Sequence, residues 1–234
     1  MATPKGAVDK RCQIVLLRHA NSTANLKGIL AGRDNTVGLS ERGQSEARSL
    51  IQTLSQYSFD AIYVSDLKRC KETIAPYLAH SGKKAERSRV IMEMDYGRWS
   101  GKPLKKLSTL PLWNLIQSRP SLVRFPDGES FSEMHLRANQ GVIDMTQGKK
   151  CILVVSHGDV IKSIVAHHLG LPLDNFQRIS IDPASITRIM FPSSQVISMN
   201  DTSHLRAESA SKDLATKRSL RRDEYSLGGG AGQI

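Results

Sequence analysis

Two histidines in this chain follow directly on apolar runs. Gln13–Leu17 leads through Arg18 into His19, and Cys151–Val155 leads through Ser156 into His157 and Gly158. Short apolar runs of this kind suit strands buried on both faces of a sheet. A residue at the C-terminal end of such a strand lies at the edge where open α/β sheets bind ligands. One histidine there is most simply a packed core residue; a second in the equivalent place makes a shared chemical role the better reading. A neutral imidazole is a competent nucleophile near pH 7, and a covalent intermediate divides one difficult step into two.

The neighbouring residues indicate what would be attacked. Arg18 ends an apolar strand, where a guanidinium is costly unless it meets an anion, and its planar fork matches phosphate oxygens. Arg69 falls in the first turn of the helix after the second strand, a place the helix dipole makes unfavourable for a cation. A bound anion resolves that conflict. Ser22 and Asn25, in the loop after His19, carry donors for the same group. Phosphoryl transfer depends chiefly on positioning and charge neutralisation, which such a cationic cage supplies without a metal.

The elements that must position these residues can be read from the pattern. Strands are expected at Gln13–Leu17, Ala61–Val64, Val90–Met92, Cys151–Val155, Ile186–Phe191 and Gln195–Met199. Ser40 can cap a helix with Ala47, Leu50, Ile51 and Leu54 on one face. Asp66 opens the next, whose stripe is Leu67, Cys70, Ile74, Tyr77 and Leu78. Residues 103–147 form a helical excursion. Leu104 and Leu107 make its first turns, Pro111 breaks or restarts it, and Ser130 with Glu133 forms a capping box for a helix carrying Phe131, Met134, Ala138, Val142 and Met145. The helix after His157 ends at Gly170 with Pro172 beyond. Strands alternating with helices imply an α/β sandwich on a largely parallel sheet.

The chain has 234 residues, 39% hydrophobic and 24% charged, enough for one sizeable α/β domain. The net charge is +11, but the basic residues are dispersed, and no nucleic-acid motif accompanies them. A positive body suits a small phosphorylated metabolite. No apolar run is long enough for a membrane span and no signal peptide is evident. The three cysteines, Cys12, Cys70 and Cys151, are too few for a disulfide framework. Together these lead to a cytoplasmic protein without membrane or nucleic-acid partners, a homodimer being allowed. No metal ligation or cofactor is expected: His167 and His168 lack ligand spacing, and GGGAG near the C-terminus neither follows a strand nor opens a helix. Residues from about 203 onward are polar and finally Gly-rich, the composition of a disordered tail.

Four ordered segments, LLRHANSTAN, SDLKRCKETI, EMDYGRWSGKPL and VVSHGDVIKSIV, resemble the signature of the histidine phosphatase superfamily, which includes the cofactor-dependent phosphoglycerate mutases. AGRDNTVGLSERGQSEA and FPDGES also fit, so the resemblance spans residues 13 to about 202. The EMDYGRWSGKPL, FQRI and DPAS segments are most similar to an actinobacterial subgroup of phosphomutases. The resemblance implies a three-layer α/β/α sandwich of the phosphoglycerate mutase type in one domain, residues 1–202, with a small cap insertion at about 103–147 and a tail at 203–234. It implies that His19 is the nucleophile and phosphohistidine carrier. Arg18, Arg69 and His157 would hold the phosphoryl oxygens, assisted by Ser22 and Asn25. Glu93 would protonate the leaving group and then activate water.

The sequence departs from the family pattern after the histidine, where the usual glycine is Ala20 and the commonly acidic next residue is Asn21. If position 20 needed φ > 0, alanine would be strained there. The cap is short and lacks the Arg-Arg run of the glycolytic mutases; before the capping box it offers Arg119 and Arg124. This favours a phosphate monoester hydrolase over a phosphomutase. A non-catalytic phospho-ligand sensor is the third reading, opposed by the complete set His19, Glu93 and His157.

Overall fold

The structure, a computed structural model, describes residues 11–205. Six strands form one sheet: β1 (Cys12–Arg18), β2 (Ala61–Ser65), β3 (Glu86–Ser88), β4 (Cys151–Ser156), β5 (Ile186–Phe191) and β6 (Gln195–Asp201), in the order β3-β2-β4-β1-β5-β6. From β3 to β1 the strands are parallel; β5 is antiparallel to β1 and β6 to β5. The sheet is therefore mixed, with a parallel run at its functional side and a hairpin at one edge.

Strand alternation divides the core into two layers. Val15, Leu17, Val64 and Val155 face α2 (Glu41–Leu54) and α3 (Lys68–Ser81), meeting Leu50, Leu54, Ile74 and Tyr77. Ile14, Leu16, Ile152 and Val154 face the opposite layer, built by α6 (Phe131–Met145) and α7 (Gly158–His168). Full burial of each such aliphatic side chain contributes about 1.5–3 kcal/mol. The result is an α/β/α sandwich, as the alternation of elements predicts.

Local chemistry sets the helix ends. Ser40 caps α2, its Oγ accepting from the Gly43 N–H at 3.1 Å. Ser130 and Glu133 form the expected capping box on α6. Between the short helix α1 (Thr23–Leu26) and α6 lie α4 (Leu104–Leu107) and α5 (Pro111–Ser118), which opens on the proline expected to restart it. Trp99 packs edge-on to Phe125 within the larger core cluster.

One expectation is corrected. The strand predicted at Val90–Met92 lies earlier, at the exposed edge residues Glu86–Ser88, which have no apolar pattern to betray them. Val90–Met92 is a turn, where Ile91 fills the core and its carbonyl accepts a hydrogen bond from Ser156 Oγ at 2.7 Å. Asp66 stands just before α3, whose N-cap is Leu67, and pairs with Lys71. Ser203–Leu205 continue the ordered chain as a helical turn, with Leu205 packed on the core; residues 206–234, most of the expected tail, lie outside the described residues. No helix among the described residues is long and apolar enough to cross a membrane.

Candidate active site

Strand register brings the two histidines together. β1 and β4 are parallel neighbours with Arg18 opposite Ser156, so His19 and His157 leave the sheet side by side. The His19 N–H donates to Ser156 O at 2.9 Å, carrying the ladder one residue beyond the strands. The ring centroids are 5.2 Å apart and edge-on at 61°, close to the spacing of adjacent strands. On the far side of β4, β2 ends in Ser65. Ser65, His157 and His19 thus form a row across three strand ends.

Hydrogen bonds fix the tautomer of each ring. His19 Nδ1 lies 2.8 Å from the Ala20 carbonyl, which can only accept. Nδ1 therefore carries the proton, and Nε2 presents its lone pair. Arg69 Nη2, which can only donate, lies 3.2 Å from His157 Nδ1. His157 Nε2 then carries the proton and donates to Ser65 Oγ at 2.7 Å. Both imidazoles are held well below the usual histidine range, first by burial and next by the charge of Arg69. A neutral His19 with Nε2 open for attack is the state a nucleophile requires.

Both arginines act on the His19 ring. Arg18 is fully buried at the end of β1 and donates from Nη1 to the Ile181 carbonyl. Arg69, also buried, is anchored by Gly32 O at 2.8 Å and Asp34 O at 3.4 Å, both in the loop following α1. Thr73, one turn on in α3, accepts from the Ala20 N–H at 2.9 Å, tying the helix that carries Arg69 to the loop that carries His19.

Glu93 reaches the same place, its Oε2 4.0 Å from His157 Nδ1 and its Oε1 accepting from the Met94 N–H at 2.9 Å. Burial first, then the charge of Asp159, raises its carboxyl to about 7. A carboxyl in that range can give up a proton and take one back at neutral pH. Its chain segment is held rigidly. Arg33 Nε and Arg137 Nη2 both donate to Glu93 O, at 3.0 and 3.2 Å. Arg137 Nη1 also binds the carbonyls of Val90 and Met92. Glu129 accepts from both arginines and from the Asp95 N–H.

Ser22 and Asn25 are engaged with each other. Ser22 caps α1, accepting from the Asn25 N–H at 3.1 Å, while Asn25 Oδ1 takes the Ser22 hydroxyl at 2.7 Å and the Ser22 N–H at 3.0 Å. The cap uses the Asn25 carbonyl, so Asn25 Nδ2 is the donor left to face a substrate. Ala20 has an ordinary negative φ, and the departure from glycine carries no strain. Asn21 suits its place, since Ser40 Oγ lies 2.7 Å from its Oδ1.

Sequence reasoning missed Ser65, Arg33, Glu129, Arg137 and Asp159. Arg33 and Glu129 lie inside the AGRDN and FPDGES segments that it singled out, and this was the available signal. The cysteines are packed thiols: Cys70 lies 3.4 Å from His157 Nε2, and burial pushes it up to about 12. His167 and His168 meet edge-on, and His168 bonds Ser194. Among the described residues, no group of three or more His, Cys, Asp or Glu side chains is placed to hold a metal ion.

The model of the histidine phosphatase superfamily, branch 1, matches residues 14–202. The chain belongs to this superfamily. A probable phosphatase of Schizosaccharomyces pombe is 30% identical over 220 residues, covering 87% of this chain and 100% of its own. A 2,3-bisphosphoglycerate-dependent phosphoglycerate mutase of Bradyrhizobium diazoefficiens is 32% identical over 165 residues, 65% of this chain and 78% of its own. The structure of YhfR from Bacillus stearothermophilus superposes with a TM-score of 0.76 at 25% identity, covering 83% of this chain and 99% of that one. This member of the superfamily is thus similar in sequence both to a probable phosphatase and to a phosphoglycerate mutase.

Proposed function

We propose that this protein is a phosphate monoester hydrolase acting through a phosphohistidine at His19 on a small phosphorylated metabolite. The observation that carries the reading is the fixed tautomer of His19: Nδ1–H is held by Ala20 O, which leaves the Nε2 lone pair free for attack, in a ring 5.2 Å from that of His157. In the first step, His19 Nε2 bonds to phosphorus as the P–O bond to the alcohol breaks. Glu93 gives its proton to the leaving oxygen. Arg18 and Arg69 neutralise the phosphoryl oxygens, with His157 beside the nucleophile and Asn25 Nδ2 assisting from the loop after it. In the second step, Glu93 takes a proton from water, whose oxygen attacks phosphorus. The P–N bond then breaks to restore His19 and release inorganic phosphate.

The full-length likeness to a phosphatase and the short cap without an Arg-Arg run support hydrolysis. A phosphomutase is the second reading. It is favoured by the 32% identity to a mutase and by two segments shared with mutase-like sequences, which lie against the site. Ile181 O, just after FQRI, holds Arg18, and Ala184 of DPAS donates its N–H to His19 O at 3.2 Å. We also propose one domain with a cap at about 103–147, and action in the cytoplasm. Incubation with an aryl phosphate, with phosphoserine and with 3-phosphoglycerate separates the readings. Free phosphate released faster than isomer supports the hydrolase, and isomer accumulating faster than phosphate overturns it.

A further inference from the structure

His157 offers its surroundings a lone pair rather than a free proton. Its Nε2–H donates to Ser65 Oγ at 2.7 Å, and its Nδ1 accepts from Arg69 Nη2 at 3.2 Å. Ser65, the last residue of β2, and His157 are both fully buried. The other neighbours of the ring do not alter this arrangement. Cys70 Sγ lies 3.4 Å from Nε2 and 3.9 Å from Nδ1, while its thiol donates to Ser156 O at 3.5 Å. Glu93 Oε2 lies 4.0 Å from Nδ1. A neutral imidazole has one N–H, and here Ser65 holds it.

The two nitrogens therefore have different company. Nε2 is committed to a buried hydroxyl, whereas Nδ1 stands beside Arg69 and Glu93, the groups assigned to the phosphoryl oxygens and to the leaving group. A phosphoryl group that draws Arg69 to itself meets the Nδ1 lone pair. An unprotonated phosphoryl oxygen also carries only lone pairs, and two buried acceptors facing each other are costly. A singly protonated phosphoryl group resolves the conflict, because its P–O–H donates to Nδ1. Phosphate monoesters lose that proton only at about pH 6. Sulfate, of the same shape, has no such proton.

We propose that Ser65 is a positioning residue: by holding Nε2–H it fixes Nδ1 of His157 as an acceptor, and the site thereby selects a phosphoryl group that brings its own proton. The inference rests on the proposed phosphoryl site and adds the protonation state of the group it takes. One proton, carried in by the phosphoryl group, lies between its oxygen and Nδ1, and Ser65 stays an acceptor throughout. In the free protein Arg69 enforces the same tautomer; once Arg69 turns to the phosphoryl group, Ser65 alone maintains it.

The test is 15N NMR of the full chain labelled in histidine, with the His157 resonances assigned through His157→Gln. Nε2 should carry its proton in the free protein and keep it when inorganic phosphate is bound. Affinities for inorganic phosphate and for sulfate, measured at about pH 6, read the selection. Wild type should prefer phosphate by at least about tenfold. Ser65→Thr, which keeps the hydroxyl, should retain that ratio. Ser65→Ala should lose most of it, with Nδ1 protonated in the sulfate-bound ring. Should Ser65→Ala not fold, Ser65→Cys, a weak acceptor, takes its place. Loss of the Nε2 proton when phosphate binds, sulfate bound as tightly as phosphate, or a ratio unchanged in the folded variant overturns the inference. None of these readings requires turnover. A protein that prefers phosphate but hydrolyses nothing would remove the proposed function and leave the role of Ser65. Normal hydrolysis without the preference would do the reverse.

Discussion

His19 and His157 meet edge-on, with ring centroids 5.2 Å apart, because Arg18 and Ser156 are paired in parallel register one residue earlier. The geometry of the site thus follows from the ladder of two central strands. Both strands are buried on both faces, so shifting either by one residue would move its apolar set and its histidine together. The rigidity of the nucleophile and the stability of the core have one cause.

Arg69 bridges Nδ1 of His157 and the loop carbonyls of Gly32 and Asp34. Arg69→Lys keeps the charge but loses the fork. Charge-assisted hydrogen bonds contribute about 1.5–3 kcal/mol each, so kcat/KM for an aryl phosphate should fall about 10- to 100-fold. Steady-state kinetics check this, and an unchanged kcat/KM would remove Arg69 from the phosphate cage.

Glu93 sets the pH response. Its carboxyl is raised to about 7, by burial first and Asp159 next, so it holds its proton below that pH and loses it above. Rates with poor leaving groups should decline as pH rises through about 7, and Glu93→Gln should slow them more than it slows good leaving groups. Equal slowing would show that Glu93 is not the acid. The same shift has a thermodynamic sign. A carboxyl raised on folding adds stability in acid, and that contribution disappears between about 4.3, the ordinary glutamate value, and about 7. Urea unfolding should show that Glu93→Gln flattens this part of the pH dependence.

Arg137 holds the Glu93 segment at three points, the carbonyls of Val90, Met92 and Glu93. Arg137→Ala leaves those carbonyls and Glu129 without this donor, and should cost about 1–3 kcal/mol in chemical denaturation. Activity should fall further than stability alone explains, because the Glu93 carboxyl loses its fixed position. A variant with wild-type kinetics would show that Arg33 suffices.

Gly43 lies where α2 passes the loop after the nucleophile, and a Cβ there would stand 1.9 Å from Asn21 O. No side chain fits without moving that backbone, and the Asn21 N–H is itself held by Glu46 at 2.8 Å. Gly43→Ala should therefore destabilise by about 1–3 kcal/mol, in the range of overpacking changes, and reduce turnover. A thermal melt with unchanged midpoint would contradict the close approach.

Much of this was legible in the sequence because it is local. The apolar runs ending in His19 and His157, the cap at Ser40 and the capping box at Ser130 each state their structure within a few residues. What was not legible depends on long-range contact. β3 was misplaced because Glu86–Ser88 is an exposed edge strand, whereas the apolar Val90–Met92 is a turn whose Ile91 fills the core. Ser22 and Asn25 carry donors that suit a phosphate, but their first partners are each other, as a capping box permits. Arg137, Glu129 and Arg33 close a network between residues distant in the chain, and no periodicity reveals such a meeting. Asp159 sits among apolar helix residues, where its fully buried pairing with Tyr96 can be seen only in three dimensions.

The most direct test is to trap the covalent intermediate. The protein is mixed with a rapidly cleaved aryl phosphate and quenched in alkali, where a phosphohistidine survives, and its peptides are weighed by mass spectrometry. One added phosphoryl group on the peptide containing His19, absent in His19→Ala, is the predicted result. Substrate turnover with no label at His19, or turnover that persists in His19→Ala, would contradict the account.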